Sequence, residues 1–493
     1  MPILAYCKLS NCYEDEEELN LKLSHMNLFI KLILLFFLPF SILGQNPNPS
    51  AELDEFILGE MDYEDIPGMS TLIVKGGEIV WVESYGMADI ENNTAVSNNT
   101  SFLMASVSKL FTGTALMQLQ EEGLVDLDQD INTYLPFSVN NPNFPNEMIT
   151  PRMLMTHTSS ITDNGSAMDG YYSIGDPTIT LADCMEMYFS LSGADYSASN
   201  NFTNNSPGTD FNYSNMATAL AGYLVEVVSQ QQFNEYSDLN IFDALCMDNT
   251  SWFLSGLDTL NVARPYNFQG GLYSPIAHYG FADYPNGLLR SSVLDLANFM
   301  LAYLQGGAFN DNQLLGSSFV NEMLAPQIPF IDDTQGLNWY TEEIYLSGGG
   351  EVDMWGHNGG ESGATTDLYI NPENGIGIVV LSNAEGENLY VVDELYDYAL
   401  SLSTSGIGNP SCDPLSVDYD AQSVLSLSVY PNPANNSITI QSDMGGVLSI
   451  ESVLGVQIIK QDVKSTDKID VSSLSVGTYF VVLNNQVLTL IIQ

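Results

Sequence analysis

Ser106 and Lys109 stand three residues apart in the stretch SFLMASVSKLFTGTALMQLQEEGLVDLDQDI, which begins at Ser101. On a helix, residues i and i+3 share a face, so the hydroxyl and the amine would lie side by side. A serine hydroxyl is a poor nucleophile until an adjacent base takes its proton. An amine can be that base only when uncharged, and burial favours the uncharged form of a lysine in general. A helix N-terminus adds N–H donors and the positive end of a dipole, both favourable to developing negative charge. The pair alone is weak evidence. The same spacing recurs at Ser465 and Lys468, about 0.2 chance matches are expected in residues 45–404, and a lysine so placed could equally snorkel along a helix surface. What sets it apart is scarcity: the chain has 11 Lys plus Arg against 61 Asp plus Glu, and residues 45–404 hold just Lys75, Lys109, Arg152, Arg264 and Arg290.

Two further constellations follow. PGTDFNYSNMATALAGYLVE places Tyr213-Ser214-Asn215 before a helical pattern, and DMWGHNGGESGATTDLYI places His357-Asn358-Gly359 before a β pattern. Singly, the tyrosine reads as a packing residue and the histidine as a loop residue. In this order and at this spacing, the three motifs resemble the class C β-lactamase and penicillin-binding family of serine hydrolases. ITPRMLMTHTSSI resembles that family's LLTHTSG segment, and NGLLRSSVLDLANFM its GGLRSTAEDLARFM-like segment.

The likeness runs from about Glu55 to Ser401. It implies an α+β fold: an antiparallel sheet flanked by helices plus an all-helical lobe, with the site between them. It implies Ser106 as nucleophile, Lys109 as its base or base partner, Tyr213 as proton shuttle and Asn215 as substrate-positioning amide. His357 and Gly359 would border the substrate, and the backbone N–H groups of Ser106 and Gly360 would form the oxyanion hole.

Two positions depart from the pattern. β-Lactamases of this type carry Lys-Thr-Gly where His357 stands, and the His-x-Gly form is more similar to D-amino-acid peptidases and esterases of the family. Histidine carries only part of a charge near neutral pH, so a substrate carboxylate would be held less firmly and potent β-lactam hydrolysis is not expected. Ser160 replaces the glycine that follows HTS in the family, which matters where that glycine needs φ > 0. His157 in the same loop reads as structural.

Elements to position these residues can be read from periodicity. MSTLIVKGGEIVWVESYGMADI predicts a hairpin, with Leu72–Val74 and Ile79–Val82 flanking a turn at Lys75-Gly76-Gly77. A helix is predicted from about Ser106 to Glu122, stopped by Gly123. ATTDLYINPENGIGIVVLSNAEG predicts two strands around the turn Pro372–Gly375, and NLYVVDELYDYALSLS a final helix. Strands at both ends with helices between them predict one antiparallel sheet drawn from both termini around a helical insertion.

The remaining sequence bounds the setting. A formal charge of −50 excludes nucleic acid, which needs clustered Lys and Arg, and disfavours an anionic membrane surface. Residues 1–25 read as a doubtful N-terminal extension. Residues 26–44, MNLFIKLILLFFLPFSILG, read as a signal peptide whose apolar run is too short for a stable membrane span. Residues 45–404 would be the hydrolase domain and 405–422, rich in Gly, Ser and Pro, a linker. Residues 423–493 read as a small C-terminal β-sandwich. Its VYPNPANNSITI, LGVQII and LSVGTYFVVL segments resemble the type IX secretion C-terminal sorting domain of Bacteroidetes. That resemblance implies export by the secretion machinery to the bacterial surface or medium. Cys184, Cys246 and Cys412 follow the doubtful segment that holds Cys7 and Cys12. None has metal or redox spacing, and an odd count leaves at least one free thiol. No metal or cofactor is expected, and the substrate would be a small molecule or peptide.

Overall fold

The computed structural model describes residues 46–402, except 311, and most of 427–492. The N-terminal extension, the signal peptide, the linker, Cys7, Cys12 and Cys412 lie outside the described residues. The described residues fall into two compact units, divided between residues 412 and 413.

The first unit is built on a seven-stranded antiparallel sheet. Helix α1 (Ala51–Tyr63) is followed by β1 (Gly68–Lys75), β2 (Glu78–Asp89) and β3 (Thr94–Ala95). A mainly helical region follows. It includes α2 (Ser108–Glu121), α3 (Asn215–Ser229) and α4 (Val293–Leu304). The chain returns as β4 (Tyr340–Tyr345), β5 (Glu351–Glu361), β6 (Ala364–Asn371), β7 (Ile376–Ser382) and helix α5 (Leu389–Ser401). The strand order is β4-β5-β6-β7-β1-β2-β3. The two termini meet where Met69 of β1 pairs with Ser382 of β7. The sheet is therefore drawn from both ends of the domain, as the strand pattern predicts.

Both faces of the sheet are covered, which explains why its strands read as continuous apolar runs. Alternate residues point to opposite faces. Leu72, Val379 and Leu381 pack with the helical region, whereas Ile73, Ile378 and Val380 pack with Leu53 and Ile57 of α1 and Val391 and Leu395 of α5. The β1–β2 hairpin is longer than its apolar centre suggested, and its turn is the pair Gly76-Gly77, both at positive φ (61° and 90°). That is the geometry a two-residue hairpin turn requires and the reason glycine serves there.

In the second unit, β8 (Leu427–Tyr430), β9 (Ser437–Ser442) and β12 (Thr466–Asp470) form one antiparallel sheet. Strands β10 (Gly446–Ser452), β11 (Gln457–Val463), β13 (Gly477–Leu483) and β14 (Gln486–Ile492) form the other, in the order β11-β10-β13-β14. Ile438, Ile440 and Ile469 from the first sheet share a core with Leu448, Ile450, Val481 and Leu490 from the second, which makes the unit a small sandwich.

Candidate active site

Helix α2 is the centre of the helical region, with every residue from Ser108 to Leu119 buried. Ser106 lies two residues before the start of α2, in a 3-10 turn over Ala105–Val107 that leads directly into it. The preceding Ala105 is forced to φ 44°, a left-handed conformation that costs an alanine roughly 1–2 kcal/mol. Ser106 therefore stands in the 3-10 turn while Lys109 is the second residue of α2. Strand β5 passes directly behind: a Cβ added at Gly359 would lie 2.5 Å from the Met104 carbonyl oxygen and 2.9 Å from the Ser106 nitrogen. Only glycine allows the strand that close.

Lys109 is fully buried. Its Nζ lies 3.0 Å from Ser106 Oγ, 2.7 Å from Asn215 Oδ1 and 2.7 Å from the Asn286 carbonyl oxygen. Each of these contacts is to a neutral group. The Tyr213 hydroxyl donates to Ser106 Oγ at 2.9 Å, and its ring covers Nζ with the centroid 5.0 Å away. Ser106, Lys109, Tyr213 and Asn215 are thus one hydrogen-bonded cluster drawn from segments more than 100 residues apart. The lysine does not snorkel.

Helix α3 presents Asn215 from its first turn. Ser214 caps it by accepting from the Ala217 N–H, and Asp163 accepts from the Ser214 hydroxyl and from the N–H groups of Asn215 and Met216. His157 holds the approach to that cap. Its carbonyl accepts from Asn212 N–H, its Nδ1 accepts from Ser214 N–H, and its ring lies 4.4 Å from that of Tyr213. Burial, then the nearby Lys109 and His357, push the His157 pKa well down, so its imidazole is neutral and fit to accept. Its work is structural.

The third motif lies on an exposed edge of β5. Strand β4 begins at Tyr340, opposite Gly356, so residues 357–361 pair with β6 on one side only. The Asn358 N–H donates across that open edge to the Tyr340 hydroxyl. With a period of two, the Gly360 N–H faces the same edge. Gly360 and Ser106 line one cavity. The His357 side chain is buried, and desolvation, with Lys109 second, pushes its pKa down to about 3. The imidazole is therefore uncharged at neutral pH.

Several residues at the site escape a reading by motif. Asp163 follows the HTSS segment, Asn286 precedes the LLRSS segment, and Asn338 donates to the Lys109 carbonyl oxygen. The two segments flagged the neighbourhood of the first two; nothing local marks Asn338, whose role depends on a chain crossing. The remaining described cations of this unit are engaged elsewhere. Lys75 reaches two carbonyls, Arg152 pairs with Asp128 and Glu322, Arg264 with Asp89 and Glu91, and buried Arg290 reaches the Tyr279 carbonyl. Cys184 is a free buried thiol and Cys246 is disulfide-bonded.

Comparison with known proteins follows the same division. The family model described as Beta-lactamase matches residues 53–402, and that described as Secretion system C-terminal sorting domain matches residues 428–493. Protein flp of Staphylococcus aureus (strain MRSA252) is 26% identical over 344 residues, covering 68% of this chain; the match spans 63% of that relative's length. Among solved structures, the octameric penicillin-binding protein homologue from Pyrococcus abyssi superposes with a TM-score of 0.56 at 20% identity, covering 89% of this chain and 98% of its own. A class C beta lactamase from Rhodobacter sphaeroides gives 0.55 at 20% identity, covering 71% and 99%. At that identity the structural likeness speaks for the fold.

Proposed function

Because this chain belongs to the beta-lactamase family, with its family domain at residues 53–402, we propose that it is an exported serine hydrolase that cleaves an ester or amide through an acyl-Ser106 intermediate. The observation that carries the proposal is the triple contact of Lys109 Nζ with Ser106 Oγ, Asn215 Oδ1 and the Asn286 carbonyl. An ammonium can donate to all three. A neutral amine donates to the two carbonyl-type acceptors and has its lone pair left for the Ser106 hydroxyl. The same geometry thus suits both ends of a proton transfer, with no side-chain movement between them.

In this reading Ser106 Oγ attacks the carbonyl carbon, its proton passes to Lys109, and the C–O⁻ that forms is met by the N–H groups of Ser106 and Gly360. Such donors are typically worth about 2.7–4 kcal/mol each. The Tyr213 hydroxyl, 2.9 Å from Ser106 Oγ and half in solvent, then delivers a proton to the departing alcohol or amine as the C–O or C–N bond breaks. Water reverses the sequence and frees the acid. Asn215, His357 and Gly359 border the substrate.

An esterase or D-amino-acid peptidase activity ranks above β-lactam hydrolysis. A β-lactam presents a carboxylate, His357 is neutral, and Lys75, Arg152, Arg264 and Arg290, the other described cations of this unit besides Lys109, are engaged with other partners. The C-terminal sorting domain supports export through a type IX route to the outer-membrane surface or the medium, with residues 26–44 as signal peptide and 405–422 as linker. No described helix is long and apolar enough to cross a membrane.

The test is covalent. Incubation of the full chain with a fluorophosphonate should modify Ser106 stoichiometrically, and Ser106→Ala should abolish both the label and turnover of p-nitrophenyl esters. A folded protein that takes no label and turns over neither esters, D-alanyl peptides nor nitrocefin would be a binding protein that keeps the family's pocket without its chemistry.

A further inference from the structure

Asp283 is a carboxylate that the mechanism above does not use, and it stands at the nucleophile. It lines a cavity of about 50 Å³ together with Ser106, Asn215, Phe281, Gly360 and Glu361. That volume holds a few water-sized groups, enough for a primary ammonium but not for a ring. Asp283 is 2% exposed. Its Oδ2 and its own carbonyl both accept from Asn286 Nδ2, at 2.7 and 2.6 Å, while Oδ1 has no hydrogen-bond partner among the described residues. A buried carboxylate oxygen without a donor is costly, and a cationic donor entering the cavity that Asp283 lines would offset that cost through its charge.

The surroundings select the kind of donor. Glu361 borders the same cavity, and a neighbouring cleft of about 460 Å³ shares Gly360 and Glu361 and adds Asp367, Glu385 and Glu387. No Lys or Arg lines either space. We infer that Asp283 anchors a protonated amine carried on the acyl part of the substrate, close to the carbonyl that Ser106 attacks, so that the preferred substrates are aminoacyl esters or amides with a free amino group. This rests on Ser106 being the nucleophile and specifies which acyl groups reach it.

Ionisation of Asp283 adds a pH signature. Burial, more than any neighbour, raises its pKa to about 7; Asp163 acts in the same direction and Lys109 against it, while Tyr171, Tyr172, Tyr188, Cys184 and Glu361 complete the titratable surroundings. A cation binds the ionised form, so affinity for an amine should rise as pH climbs from 6 to 7.5, a range in which an α-amino group stays mostly protonated.

The experiment measures protection of Ser106 in the full chain from fluorophosphonate labelling by D- and L-alaninamide and by their N-acetyl counterparts. The free amine of at least one enantiomer should protect at about tenfold lower concentration than its acetylated form, and the gap should widen between pH 6 and 7.5. Asp283→Asn should label at Ser106 yet reduce the gap to about onefold; a loss of protection by both compounds in equal measure would mark Asp283 as a structural support of Asn286. Equal protection by amine and acetyl forms in the wild-type chain would overturn the inference whether or not the variant folds. Absence of any label at Ser106 would instead sink the hydrolase reading beneath it.

Discussion

Ser160 follows His157-Thr158-Ser159 at φ 60°, a left-handed conformation in a loop that runs past the tyrosine's approach. Strain there costs a serine on the order of 1 kcal/mol. Against it, Ser160 Oγ accepts from Asn141 Nδ2 at 2.9 Å, worth about 1 kcal/mol. A glycine would remove both and loosen the unfolded chain by about another 0.5–1 kcal/mol. Ser160→Gly should therefore stay within about 1 kcal/mol of wild type in urea unfolding, whereas Ser160→Ala, which keeps the strain and loses the bond, should fall about 1 kcal/mol below. An alanine variant as stable as wild type would show that the Asn141 contact contributes nothing. The departure from the family's glycine was open to reading from the sequence, whereas the positive φ is seen only in the folded loop. The compensating asparagine was not open to reading either, since it arrives from 19 residues upstream.

At the scale of elements, scarcity of cations gives each one a legible job only once strands and helices are assembled. Helix α5 has no basic residue in its last turn. Lys75, at the end of β1, supplies one from outside by donating to the carbonyls of Ala399 and Leu402 at 2.8 and 2.7 Å. Lys75→Met should cost about 1–2 kcal/mol of unfolding free energy and speed hydrogen exchange in α5 before it does so in α2. Unchanged protection in α5 would contradict this role. The hairpin, the late strands and the two long helices follow from periodicity and capping residues. The 3-10 turn that carries Ser106 does not: no side chain caps α2, so nothing local separates that turn from the helix behind it. Its shape is imposed by β5 pressing against it at Gly359.

For the whole molecule, burial sets two opposing proton linkages. It pushes down the pKa of His157, of His278 to about 4 and of His357 to about 3. Unfolded histidines charge near 6.5, so below that pH the unfolded state takes up protons that the fold refuses, and stability falls. Burial also pushes Asp283 and Asp367 up to about 7 and Asp238 and Asp295 up to about 6. Unfolded aspartates release their protons near 3.9, so these four add stability as pH falls through 7 and 6. Only the second linkage acts between pH 8 and 7; between about 6 and 5, four carboxylates against three histidines nearly cancel. Calorimetry should accordingly find a higher Tm at pH 6 than at pH 8 and a shallow plateau below. A Tm that declines steadily from pH 8 downward would refute this balance.

What the sequence by itself determined is what local chemistry can encode: strand and helix periods, the serine–lysine spacing, the order of three motifs, the acidic surface and the two-part division of the chain. Tertiary structure alone decided that Lys109 is enclosed by neutral acceptors, that His357 is uncharged, and that Asp283, with Oδ1 left without a donor, lines the same cavity as Ser106. Those properties depend on desolvation and on contacts between segments far apart in the chain, and neither exists until the sheet closes and the helical region folds over it.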